Sequence, residues 1–144
     1  MQPRTGPGQF QWNAGGWFGS QLGGTAWMLV AGLMFIPQSL VSAGVLMACF
    51  AIANAVACRM WLRRDRLAPY PSIQWLIVVM GVVAAIAFVT VDRSGPLMYL
   101  DLEPSPFPKT LYWYLLIFPA MMLMFHFIER EGRKRRARTE RETT

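Results

Sequence analysis

The segment AGGWFGSQLGGTAWMLVAGLMFIPQSLVSAGVLMACFAIANAVAC, residues 14–58, decides how the rest of the chain is read. It lies in a run from Thr5 to Cys58 that carries no Asp, Glu, Lys or Arg over 54 residues. A helix rises about 1.5 Å per residue and needs about 20 apolar residues to cross a hydrocarbon core, so this run has room for two crossings and a turn. Pro37 marks the turn, because proline cannot donate a backbone N–H inside a helix. We therefore read a first helix from Ala14 to Ile36 and a second from Leu40 to Met60. Asn13 is placed to cap the first by accepting an orphan N–H of its opening turn, and Arg59 ends the membrane depth of the second.

Working outward, two further charge-free runs follow, Leu67 to Val91 (25 residues) and Thr110 to Ile128 (19 residues). With the first run they make up 98 of the 144 residues, which leaves little for a separate soluble catalytic domain. The third span, Ile73 to Val91, is rich in β-branched residues, but its length decides for a helix. A lone strand in lipid would leave its backbone donors unsatisfied, and Ser72 is placed to cap the helix. The fourth, Thr110 to Ile128, passes directly into a basic tail, residues 129–144. The composition agrees: 54% of residues are hydrophobic and 15% charged, against about 25% charged in a soluble domain. The expected fold is all-α, a polytopic integral membrane protein with four transmembrane helices in one compact bundle. An N-terminal secretory signal is not expected, since the apolar stretch runs far past the about 7–15 residues of such a core and its leader has one basic residue, Arg4.

Charge sets the expected orientation. With four spans, one set of flanks carries Arg4, Arg59, Arg63, Arg64, Arg66, Arg130, Arg133, Lys134, Arg135, Arg136, Arg138 and Arg141, and the other only Arg93 and Lys109. Twelve against two implies both termini in the cytoplasm, here at a bacterial inner membrane. The same distribution supports four spans, because one helix more or fewer would scatter these bases over both sides. Arg59, Arg63, Arg64, Arg66, Arg133, Lys134, Arg135 and Arg136 are read as anchors on anionic lipid headgroups rather than as a nucleic-acid site. Trp12, Trp17, Trp61, Trp75, Tyr112, Trp113 and Tyr114 fall near span ends, as interfacial belts do.

Helices in lipid associate through close backbone approach at small residues. Gly15, Gly19 and Gly23 recur every fourth residue, with Gly16, Ser20 and Gly24 beside them, a glycine zipper along the first half of the first span. Three placements are open: a self-association face, the lining of a pore between protomers, or a seat for another helix of the same chain. On the second span, Gly44, Ala48, Ala51, Ala55 and Cys58 form the expected seam. Gly81, Ala84 and Ala85 offer a groove on the third. Pro119 is expected to kink the fourth span and free the carbonyl of Leu115.

Apart from Arg59, no ionisable Asp, Glu, Lys or Arg lies within a span, which argues against proton- or ion-coupled transport. Gln21 and Thr25 are candidate polar residues of a pore, and Asn54 is expected to make an interhelical hydrogen bond. His126, the only histidine, lies one turn from Glu129. Cys49 and Cys58 are nine residues apart, on roughly opposite faces of one helix, and make no disulfide or metal site. No catalytic residues, cofactor or metal are expected. The connector from Asp92 to Lys109, with Pro96, Pro104, Pro106 and Pro108, is expected to be extended and stiff. The expected function is assembly, as a homo-oligomer or an accessory subunit of a membrane complex. The alternative is a passive channel lined by the glycine face, and a small lipid- or quinone-directed enzyme ranks last.

Overall fold

The structure, a computed structural model, describes residues 10–95 and 109–142. Among these residues it is all-helical: α1 (Ala14–Phe35), α2 (Leu40–Leu62), α3 (Pro69–Ser94), a 3-10 segment (Lys109–Leu116) and α4 (Ile117–Glu142). The Pro-rich part of the connector, residues 96–108, lies outside the described residues.

Among the described residues, three stretches are long and apolar enough to cross a membrane: Leu40–Leu62, Pro69–Ser94 and Lys109–Thr139. The 22-residue α1 is not among them. Its glycines, with Ser20 and Gln21, dilute an otherwise apolar helix.

Asn13 caps α1, its Oδ1 accepting from the Gly16 N–H at 3.1 Å. Ser39 does the same for α2 through the N–H of Ser42. The start of α3 differs from the sequence reading. The helix opens at Pro69, since a proline in the first turn gives up an N–H that has no intrahelical acceptor there. Ser72 is therefore inside the first turn, where its hydroxyl donates back to the Ala68 carbonyl at 2.8 Å.

The fourth span also differs. Instead of a kinked α-helix from Thr110 to Ile128, the chain runs as 3-10 helix to Leu116 and then as α-helix to Glu142. Pro119 is the third residue of α4, so its missing N–H falls among the opening donors and no interior bond is broken. Past the apolar part, i,i+4 pairs carry the helix onward: Arg133 with Glu129 at 3.1 Å and Arg138 with Glu142 at 3.1 Å.

Short connections at 36–39 and 63–68 make neighbours antiparallel. Trp17 meets Ala57, Thr25 meets Asn54 and Gly32 meets Ala43 along the α1–α2 pair. Tyr70 with His126, Gln74 with Met122, and Gly81 with Phe118 do so along α3 and α4. α1, α2 and α3 share the core of Met28, Phe35, Leu46, Cys49, Ala53, Val83, Ala84 and Ala87. Of the described α-helices, α4 packs along α3 alone, so among the described residues the arrangement is a three-helix core with a flanking fourth helix, not an evenly closed bundle.

The buried face of α2 is Ala43, Leu46, Cys49, Ala53 and Ala57. This corrects the seam read from the sequence, because Gly44, Ala48, Ala51, Ala55 and Cys58 all point outward. Two small-residue rows lie on opposite sides of α2, and both are apolar, so composition does not say which one meets protein.

Polar groups tie both ends. At one end the Gln38 amide donates to the Ser94 carbonyl at 2.9 Å, and the Ser94 hydroxyl donates to that of Ser42 at 2.7 Å. At the other, Trp12, Trp17, Phe18 and Trp61 pack ring on ring. Trp17 is buried there and donates its indole N–H to the Ala57 carbonyl at 3.1 Å, so it locks α1 to α2 and is not a belt residue. Trp75, Trp113 and Tyr114 are exposed.

Candidate functional site

α1 carries the candidate site, and its two sides have different environments. The inner side is Trp17, Gln21, Thr25, Met28, Gly32 and Phe35, spaced 4, 4, 3, 4 and 3, which winds one stripe down the helix. Gly32 allows the close approach to α2: a Cβ there would stand 2.9 Å from Met47 Cγ and 3.3 Å from the Ala43 carbonyl oxygen. The sequence reading passed over Gly32, although it continues the spacing of Trp17, Gln21, Thr25 and Met28.

A small polar cluster lies within this interface. The Thr25 hydroxyl donates to the Gln21 carbonyl at 2.8 Å and accepts from Asn54 Nδ2 at 3.0 Å. Asn54 Nδ2 also donates to the Phe50 carbonyl at 2.8 Å. Gln21 is completely buried, and neither its Oε1 nor its Nε2 has a hydrogen-bond partner among the described residues.

The outer side holds the glycine row. Gly15, Gly19 and Gly23 are exposed, and a Cβ at Gly19 or Gly23 would meet nothing within 4 Å. At Gly15 it would approach only the helix's own cap, Asn13 Oδ1, at 3.4 Å. The neighbouring row is also exposed, but Gly24 faces α3, where a Cβ would stand 2.5 Å from Met80 Cε. Among the described residues, no other helix packs on Gly15, Gly19 or Gly23. Gln21 and Thr25 are thus separated from that row by the thickness of α1. The expectation that they share a pore-lining surface with it is corrected: they face α2 because the α1–α2 contact runs through positions 17, 21, 25 and 28.

The basic residues gather at the end of the molecule where α2 ends and α4 extends beyond the core. Arg59, Arg63 and Arg66 are exposed. Arg64 lies over the Trp61 ring at 5.0 Å and donates to the Trp61 carbonyl at 3.2 Å. On α4, Lys134 and Arg135 reach Glu131 at 3.7 and 4.0 Å, and Arg136 is exposed.

His126 is partnered differently from its sequence neighbourhood. Its Nδ1 lies 3.0 Å from the Tyr70 hydroxyl on α3, whereas the buried Glu129 pairs with Arg133. The second oxygen of Glu129 accepts from the Phe10 N–H at 3.5 Å. Nothing in sequence spacing marks Tyr70 as the partner, since it lies 56 residues away.

Both cysteines are free thiols, and the described residues contain no group of three His, Cys, Asp or Glu side chains placed to hold a metal. Compared with known proteins, the chain matches no family model, no curated protein and no solved structure. What fold and site define is a small helical protein with three helices fit to span a membrane and a glycine-rich first helix whose outer row meets no other helix among the described residues.

Proposed function

We propose that this chain is a four-span protein of the bacterial inner membrane, with both termini cytoplasmic, whose work is assembly through the outer face of α1. It acts as a homo-oligomer or as an accessory subunit of a larger membrane complex. α1 supplies the fourth span, because its 22 residues match a bilayer core in length and it packs against two helices that are apolar enough to cross. The basic flanks then sit on the anionic inner leaflet, where Lys and Arg are each favoured by about 1 kcal/mol.

The observation that carries the reading is the empty space over Gly19 and Gly23. Glycine costs about 1 kcal/mol relative to alanine in a helix interior. Close approaches between helices fall instead at Gly24, Gly32 and Gly81, so among the described residues the outer row has no packing role within one copy. Close approach of a second backbone over small residues is what such a row provides in lipid. A passive pore along the same row is less supported, as Gln21 and Thr25 lie on the other side of α1.

Gly19→Leu and Gly23→Leu test this. Neither substituted Cβ meets an atom of this chain, so helicity by circular dichroism should be unchanged while the oligomer dissociates in light scattering. Wild type that runs as a monomer in several mild detergents would refute self-assembly.

A further inference from the structure

α4 packs along α3 only, so its early turns stand away from α1 and leave a groove floored by α3. Its volume is about 330 Å³, and its walls include Gly16 and Ser20 of α1, Ile77 and Met80 of α3, and Met121 and Phe125 of α4. Gly16 and Ser20 keep it open, since a Cβ at Gly16 would meet nothing nearer than its own cap, Asn13 Oδ1, at 3.9 Å. The groove is apolar along the helices, and Phe10 and Gln11 border it at the end where the arginines gather.

Gln11 also borders a second cavity of about 310 Å³, whose other walls are Gly132, Arg135 and Arg136. Gln11 thus borders both an apolar trough between α1 and the candidate spans α3 and α4 and a basic mouth at their charged end, where Arg135 also reaches Glu131 at 4.0 Å. That is the division of an amphiphile: hydrocarbon alongside the helices, anion at the guanidinium groups. Arginine suits the anion because its planar fork can bind two phosphate oxygens together.

We propose that this groove holds one anionic phospholipid, with an acyl chain between α1 and α4 and its phosphate at Arg135 and Arg136. The trough by itself cannot select a lipid, because an acyl chain leaves one apolar surrounding for another. Selection comes from the mouth. The small residues Gly16 and Ser20 have a separate purpose from the outer glycine row, since they make room for a lipid tail. The site rests on the membrane placement of the chain and not on self-assembly, and a protein that runs as a monomer would leave it standing.

The test uses the full-length protein in mild detergent, offered an equal mixture of phosphatidylglycerol and phosphatidylcholine of identical chains and read by native mass spectrometry. Wild type is expected to retain a single phosphatidylglycerol in preference to phosphatidylcholine. Arg135→Gln with Arg136→Gln should cut that preference on the order of tenfold and leave total lipid retention unchanged. Ser20→Leu, which fills the groove from α1, should lower retention of both lipids. Met121→Trp fills it from α4 and gives the same reading should the first variant fail to fold by circular dichroism. Equal retention of the two lipids by wild type, or full retention in both filled variants, overturns the proposal. Displacement of the lipid by inorganic phosphate alone at millimolar concentration also overturns it, since the mouth would then be a free-anion site.

Discussion

Replacing Gln21 by methionine should make this protein more stable, although it deletes a polar group from a polar cluster. The side chain is fully buried between α1 and α2, and neither end of its amide is paired among the described residues. An unpaired buried amide costs about 1–3 kcal/mol in soluble proteins. In a bilayer the unfolded reference has little water to lose, and interhelical polar bonds there are worth about 0.6 kcal/mol on average and about 1.7 at most. The penalty removed by Gln21→Met is therefore set at about 1 kcal/mol, or roughly a fivefold shift in the folding equilibrium. Methionine suits the comparison, being unbranched and adaptable, so little packing is lost. Thr25 is unaffected, because its hydroxyl donates to the backbone carbonyl of residue 21 and not to the amide. The assay is reversible unfolding of the full chain by titration of SDS into mixed micelles, followed by circular dichroism, with Gln21→Ala as a cavity-forming control that should lose stability. A Gln21→Met protein less stable than wild type by 1 kcal/mol or more would refute the reasoning, because the amide would then have a partner outside the chain.

Three other outcomes follow from the same packing. Ala53→Leu, at a position with no exposure, should cost about 1–3 kcal/mol by overpacking, whereas Ala51→Leu on the outward face should change stability by less than about 0.5 kcal/mol; the reverse order in the same titration would restore the seam first read from the sequence. Asn54→Leu removes the 3.0 Å bond to Thr25 and should cost about 0.6 kcal/mol and no more than about 1.7. For topology, single cysteines at Pro37 and Thr139 on a Cys49→Ala, Cys58→Ala background should label oppositely in intact cells, Pro37→Cys from outside and Thr139→Cys only after permeabilisation; labelling of both from outside would overturn the proposed orientation.

Much of the helix framework was legible in the sequence. Charge-free runs bounded by Pro37, Arg59, Asp92 and the tail put helices close to where they occur, since the lengths of such runs and their breaks are properties of the chain alone. The N-cap of α1 was legible for the same reason, as Asn13 acts on a donor three residues away. What reached across helices was not. The row Gly44, Ala48, Ala51 and Ala55 resembles Ala43, Ala53 and Ala57 in size and polarity, and a helix that is apolar all round gives no sign of which side meets protein and which meets lipid.

The same contrast separates what the amino-acid order determined by itself from what tertiary structure alone decided. Hydropathy along one dimension is enough to mark apolar segments and distribute the arginines, because these quantities add up residue by residue. Only packing could turn Gln21 inward, Gly19 outward and α4 away from α1. Each of those depends on which neighbour a helix face meets, and in an apolar solvent that is settled by the fit of side chains between helices rather than by avoidance of water.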